Sequence, residues 1–290
     1  MSTEALVFAE DLRIDVDGVP VCDGLTFRTN AERVLVLGAP RVLFEALAGL
    51  RPVVRGALAI RGSAAKIAVS QGIVAGAPLD PALPPKWTAL EYVVWSSRLA
   101  GHTAGDARSL AKDAIARVQL GPLATLPLAR LVTHAKRAVV LAAALATDAD
   151  VLVVEDPLAT LSEEIARTWA RILVQALEER PWIVLASRVS LTSPLAMNAD
   201  EALVVTSSRL DAQGPPAEIA AADRRFVARI HGSLEPLGKR LAERGASMDI
   251  RGAQVVLELG ESVTTADLLA MCAEADVTIV EMVPVARALT

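Results

Sequence analysis

The residues with types and spacing suited to chemistry sit at the ends of two compact apolar runs. Val34–Leu37 gives way to Gly38-Ala39-Pro40, and Val151–Val154 ends in the carboxylate pair Glu155-Asp156. A loop that cradles phosphates has the spacing G-x-x-x-x-G-K-[ST]. Its glycines let backbone N–H groups wrap the anion, its lysine reaches the outer phosphates, and its hydroxyl holds magnesium. Gly38 opens such a loop here, but a gapless count puts Leu43, Phe44 and Glu45 where the second glycine, the lysine and the hydroxyl belong. A shorter loop, which suits Ala48-Gly49-Leu50 better, removes the motif altogether. No lysine lies between Arg33 and Lys66, and Glu45 adds negative charge where phosphates would already be anionic. Arg41 is the only cation in the loop and reads as a solvated charge. Very poor phosphate binding is the expectation, and Glu155 taken alone reads as a strand-end carboxylate capping the turn after it.

Composition narrows the partners. More than half of the 290 residues are apolar, enough to bury the core of one large domain and a small one. The net charge is −5, the basic residues are dispersed, and four Phe, four Trp and one Tyr offer little for stacking on bases, so nucleic-acid binding is not expected. Cys22 and Cys272 are far apart, and His102, His134 and His231 do not cluster, which suggests two buried thiols and neither a disulfide nor a metal site. Met1 to Asp11 lacks a basic segment followed by an apolar one, and the most apolar run, Ala138–Ala146, is too short to cross a bilayer. A cytoplasmic protein is expected, one that reaches a membrane only through another subunit.

The elements that must position these residues follow from periodicity. Ala5–Phe8, Leu12–Val16 and Leu25–Arg28 read as short strands of an antiparallel edge. Val34–Leu37 followed by the spacing of Leu43, Leu47 and Leu50 reads as strand, turn, helix, the usual entry to a parallel α/β sheet. Pro78 to Pro85 must be a loop. After it Thr88–Leu99, Ala104–Val118 and His134–Thr147 read as helices of an insert covering about 86–147. Val151–Glu155, a helix from Ser162 to Glu178, Trp182–Ala186 and Ala202–Thr206 resume the β–α alternation. Past Pro215-Pro216 the order is strand Phe226–Ile230, helix Leu234–Ala242, strands Ser247–Ile250 and Val255–Leu259, helix Thr265–Ala273 and strand Val277–Met282. That βαββαβ order suggests a ferredoxin-like domain over 217–290 behind a larger α/β domain over 1–216.

Four fragments, in order, resemble the nucleotide-binding subunits of ATP-binding cassette (ABC) transporters over roughly the first three-quarters of the chain. They are LRIDVDGVPVCDGLTF (Leu12–Phe27), Ala48-Gly49-Leu50-Arg51-Pro52, LPPKWTALE (Leu83–Glu91) and, most specifically, LAAALATDADVLVVEDP (Leu141–Pro157). The tail resembles the small C-terminal domain of some drug-efflux members. The resemblance implies a P-loop NTPase-like ABC ATPase fold with a parallel core sheet, an antiparallel β edge and a helical insert.

Position by position, it also implies departures from the family. The aromatic that stacks on adenine falls at Val16, and the Asp-Glu order of the second phosphate-site motif is reversed in Glu155-Asp156. The LSGGQ signature, which grips phosphate with glycine amides at a helix start, falls at Leu131-Val132-Thr133-His134-Ala135, where Thr133 reads as a helix N-cap. Ser162 stands for the loop aspartate, Arg188 for the γ-phosphate-sensing histidine, and the linking glutamine aligns with Leu79, with Gln71 too early. Arg188 would pair with Glu155 or Asp156 and tie the site down. The expectation is therefore a pseudo-ATPase that is not an enzyme and takes no cofactor, ATP with magnesium entering only if rearranged ligands restore the site.

Its value would then lie in surfaces. In the family a groove beside the insert receives a short permease helix, and Pro85 to Leu99 here carries Trp87, Tyr92 and Trp95, residue types suited to an interface. The expectation is a subunit bound to transmembrane ABC permease subunits, with a competent ABC ATPase as an optional other half of a heterodimer. The alternative is a soluble scaffold or regulator that homodimerises through its C-terminal domain.

Overall fold

The structure is a computed structural model that describes residues 5–284 except 188, 190–192, 207, 223, 252–253 and 261–262. The chain divides into two compact units, the first closing at Gly214 and the second opening at Pro215.

The first unit begins with β1 (Val7–Val16) and β2 (Val19–Thr29), followed by β3 (Arg33–Leu37), α1 (Pro40–Leu47), β4 (Arg55–Ile60), β5 (Ser63–Ala64), α2 (Ala65–Ser70) and β6 (Val74–Ala77). The insert comprises α3 (Ala89–Leu99), α4 (Ala104–Arg117) and α5 (Thr133–Leu145). It is followed by β7 (Val151–Glu155), α6 (Glu163–Leu177), β8 (Trp182–Ala186), α7 (Pro194–Met197), β9 (Glu201–Val205) and β10 (Leu210–Gly214). One sheet is antiparallel, in the order β2-β1-β4-β5. The other runs β10-β9-β3-β8-β7-β6, parallel from β9 to β6 with β10 antiparallel at its edge.

The two strands expected at Ala5–Phe8 and Leu12–Val16 are one strand. The register against β2 shifts between Ala9 and Leu12, and Asp11 takes φ 45° there, a left-handed conformation that aspartate tolerates better than most residues. Gly56 on β4 meets this bulge: a Cβ on it would lie 2.2 Å from the carbonyl oxygen of Glu10. Sequence periodicity missed β4, β6 and β10. Each is only four to six residues long, and β6 (VAGA) and β10 (LDAQG) lack β-branched runs.

Burial explains the stretches that were legible. Every residue of β7 and β8 is buried, as expected of central strands covered on both faces. The alanine-rich α5 is buried nearly all round, with ten of its thirteen residues inside. Ile14, Leu25, Val34, Leu43, Phe44 and Leu185 belong to one core joining the antiparallel sheet, α1 and the parallel sheet. Each such side chain contributes about 1.5–3 kcal/mol by leaving water.

The second unit holds α8 (Pro216–Ala222), β11 (Arg225–His231), α9 (Leu234–Glu243), β12 (Ser247–Arg251), β13 (Gln254–Glu258), α10 (Thr265–Glu274) and β14 (Thr278–Pro284). Its sheet order, β12-β13-β11-β14 with antiparallel neighbours, is that of a ferredoxin-like domain. Leu237, Leu241, Leu257, Leu268 and Met271 pack its core. Cys22 and Cys272 are buried free thiols, one in each unit, and burial pushes both up from their ordinary value.

Candidate functional site

In an open parallel sheet, ligands sit beyond the carboxyl ends of the strands. Here those ends are Gly38 after β3, Leu79 after β6 and Glu155-Asp156 at the end of β7.

The turn from β3 into α1 is two residues long. Gly38 takes φ 108° and donates its N–H to the Ala186 carbonyl at 3.1 Å, Ala39 is left-handed at φ 40°, and Pro40 starts the helix. Only glycine fits the first place, because a Cβ would lie 2.0 Å from the Val205 carbonyl oxygen. Of the two readings of this loop, the shorter one describes the backbone. Leu43 and Phe44 do not line a phosphate cradle. They are 1% and 2% exposed, and Phe44 packs over Gly76 of β6.

Glu45 faces outward into a chain of charges. Its Oε2 lies 2.5 Å from Arg51 Nη2 and accepts from Nε at 2.7 Å, while its Oε1 lies 3.1 Å from Arg41 Nε. Arg51 also donates to the carbonyl of Asp15 at 3.1 Å, and Arg41 Nη1 stands 3.8 Å from Glu155 Oε1. Arg41 is a solvated charge, its side chain 75% exposed, but it stands in the first turn of α1 instead of a loop and lies beside two carboxylates. Glu155 does not cap the turn after it. Its Oε2 accepts the Leu79 N–H at 2.9 Å, across the adjacent strand, and the carboxylate is almost fully buried. Asp156 is also buried, at φ 36°, with its N–H on the Leu185 carbonyl at 2.7 Å. Arg188, expected to pair with these carboxylates, lies outside the described residues.

The signature-like segment also differs from its reading. Val132 is the N-cap of α5, without a side-chain cap bond, and Thr133 is the first helical residue. Leu131 and Ala135 are buried, and His134 is half-buried. Thr133 and Lys136 line a groove of about 700 Å³, shared with Leu79, Asp80, Leu83 and Pro85 of the loop after β6 and with Thr160. Ser162 is the N-cap of α6, and Gln71 caps the C-terminal end of α2. Val16 ends β1 and offers no aromatic face.

One residue went unnoticed in the sequence. Arg137 on α5 has a side chain 4% exposed and donates to the carbonyls of Ala159 at 2.6 Å and Pro157 at 3.3 Å. It also donates to the Thr160 hydroxyl at 3.4 Å and lies 3.6 Å from Asp80 Oδ2. It pins the insert to the loop that follows the carboxylates and faces the loop after β6. Its signal was an arginine set into a helix whose other positions from Ala138 onward are apolar.

The three aromatics of the insert do come together. Trp87 and Trp95 meet edge to face with centroids 5.7 Å apart, and Tyr92 lies 6.3 Å from Trp95. Trp87 is 36% and Trp95 46% exposed, and burial pushes the Tyr92 phenol up. Among the described residues no group of His, Cys, Asp and Glu could hold a metal ion, and no helix is long and apolar enough to cross a membrane.

ATP with magnesium is the group this fold implies. The phosphate side does not fit a lysine-bearing cradle: the turn is two residues long, Phe44 is in the core, and Glu45 presents a carboxylate. The carboxylate side retains two buried acids at the end of β7.

No family model matches the chain. It is 28% identical over 235 residues to the hemin import ATP-binding protein HmuV of Streptomyces coelicolor, covering 75% of this chain and 81% of that protein. Among solved structures it matches CbiO1 from Clostridium perfringens, part of the ABC transporter complex CbiONQ, with TM-score 0.64 and 20% identity, over 75% of this chain and 91% of that one. It also matches a bacterial Atm1-family ABC exporter with ATP bound, with TM-score 0.61 and 16% identity, over 77% of this chain and 40% of that one. These matches correct one expectation. The chain cannot be set down as a non-enzyme, because the protein it matches in sequence over most of its length is an ATP-binding protein. The chain has the ATP-binding cassette fold and resembles the ATP-binding subunits of ABC transporters.

Proposed function

We propose that this chain is the cassette subunit of a membrane transport complex, held at the membrane by a permease that docks on the helical insert. The observation that carries this reading is the half-exposed cluster Trp87–Tyr92–Trp95, on the segment that continues from the groove wall at Leu83 and Pro85. Large rigid aromatics that remain exposed in the free subunit suit a protein interface, where they supply area at little entropic cost. The 700 Å³ groove beside them has an apolar floor at Leu83, Leu128 and Val140, with one cation, Lys136, and one carboxylate, Asp80, at its walls. A short amphipathic helix from a permease suits that chemistry. A second cassette, either another copy or a motif-complete ATPase, completes the complex in this reading. The chain lies peripheral to the membrane on the cytoplasmic side.

A photo-crosslinking residue placed at Trp95 in native membranes is expected to trap a membrane-spanning chain, while the same residue at the exposed Val19 of the antiparallel sheet traps none. Adducts only with soluble proteins, or only with itself, would favour a scaffold that pairs through the C-terminal sheet, whose edge strands are β12 and β14.

A further inference from the structure

We infer that a small cavity at the end of β7 is a binding site for one internal water molecule, which takes the N–H groups of Arg137 and Trp169 and donates to Glu155. The inference goes beyond the docking reading and does not rest on it.

Two buried donors lack a protein partner. Arg137 has a side chain 4% exposed, and its terminal nitrogens are each engaged twice: Nη1 with the carbonyls of Pro157 and Ala159, Nη2 with the Thr160 hydroxyl and Asp80. Its remaining donor, Nε–H, has no hydrogen-bond partner among the described residues. Trp169 on α6 is 3% exposed, and its indole Nε1–H is likewise without one among them. An indole N–H and a guanidinium only donate, so the two groups cannot satisfy each other. Each has given up its hydration on folding, a cost that a hydrogen bond in the interior must offset.

Arg137 and Trp169 line the same cavity of about 10 Å³, together with Leu79, Val154, Glu155 and Leu173. That is about the space that one water needs. Glu155 supplies the acceptor. A carboxylate offers about four lone-pair sites; the Leu79 N–H takes one at 2.9 Å, and Arg41 Nη1, at 3.8 Å, is too distant for a hydrogen bond. A water that accepts from Arg137 and Trp169 and donates to Glu155 makes about three hydrogen bonds, as internal waters typically do. A small anion would suit the two donors but would be repelled by the carboxylate in the same wall. The water ties α5 and α6 to the end of β7. Leu79 lines both this cavity and the groove beside the insert, so its N–H holds the same carboxylate from the groove side.

The test is magnetisation transfer from water in rotating-frame NMR of the isotope-labelled full chain, with the Trp169 indole assigned by its loss in Trp169→Phe. The wild type is expected to show a cross-relaxation peak between the Trp169 Nε1–H and a bound water, opposite in sign to hydrogen exchange. Val154→Ile adds a methyl group to the cavity wall and should abolish the peak. Arg137→Lys, which keeps the charge but loses Nε–H, should abolish it too and serves if Val154→Ile proves unstable. A crystal structure of the same chain, with bromide soaked in as the anion probe, should place one water within about 3.2 Å of both nitrogens and of a Glu155 oxygen. A folded wild type without the peak, a peak that survives both substitutions, or anomalous bromide density at that position would overturn the inference.

Discussion

At the scale of single residues, two side chains decide how the cleft is built. Gly38 is fixed by geometry: at φ 108°, with the Val205 carbonyl 2.0 Å from any added Cβ, Gly38→Ala must displace β9 or the turn. A loss of about 2 kcal/mol or more is expected in urea unfolding, and an unchanged midpoint would contradict the close approach. Arg137 is the second. Replacing it with Met leaves the carbonyls of Pro157 and Ala159 without their donor and should cost about 2–4 kcal/mol. Arg137→Lys should recover part of this, because an ammonium reaches one carbonyl and not both. Gly38 was legible in the sequence because an apolar run ending in Gly-Ala-Pro has few readings. Arg137 was not, since its partners are backbone carbonyls twenty or more residues away. The same limit misled the reading of Glu155, whose partner is a backbone N–H 76 positions off.

At the scale of elements, α3 shows what local chemistry can and cannot fix. Thr88 and Glu91 form a reciprocal capping box, and the Thr88 backbone N–H and hydroxyl hold the Glu91 carboxyl below the usual carboxylate range. A depressed folded-state value means that the box stabilises the fold above the ordinary glutamate pKa and loses that contribution as pH falls through the folded value. Glu91→Gln should therefore melt below the wild type at neutral pH, with the gap narrowing in acid; a gap independent of pH would refute the assignment. The start of α3 was readable because such a box is written within four residues. The start of α5 was not, since Val132 caps by backbone conformation alone and nothing in its side chain announces it. The strands follow the same division. β7 and β8 are continuous buried runs that their sequence declares, whereas β4, β6 and β10 owe their conformation to neighbours in the sheet.

At the scale of the whole molecule, the order of elements carried the fold, because a cassette core followed by a βαββαβ unit is specified by many weak signals agreeing. Function was less legible, since phosphate chemistry depends on a few positions, and the non-enzyme expectation drawn from them conflicts with the similarity of the chain to an ATP-binding protein. The cassette body carries an aromatic face on its insert, the face proposed to hold a permease. The most direct test is affinity purification of the tagged chain from gently solubilised native membranes, comparing wild type with the double variant Trp87→Ala/Trp95→Ala and identifying the co-purifying chains by mass spectrometry. The wild type is expected to bring down a membrane-spanning chain, and the folded double variant to lose it by about tenfold or more, as for interface anchors worth over 1 kcal/mol each. Equal recovery by both, or no membrane-spanning chain with either, would contradict the account.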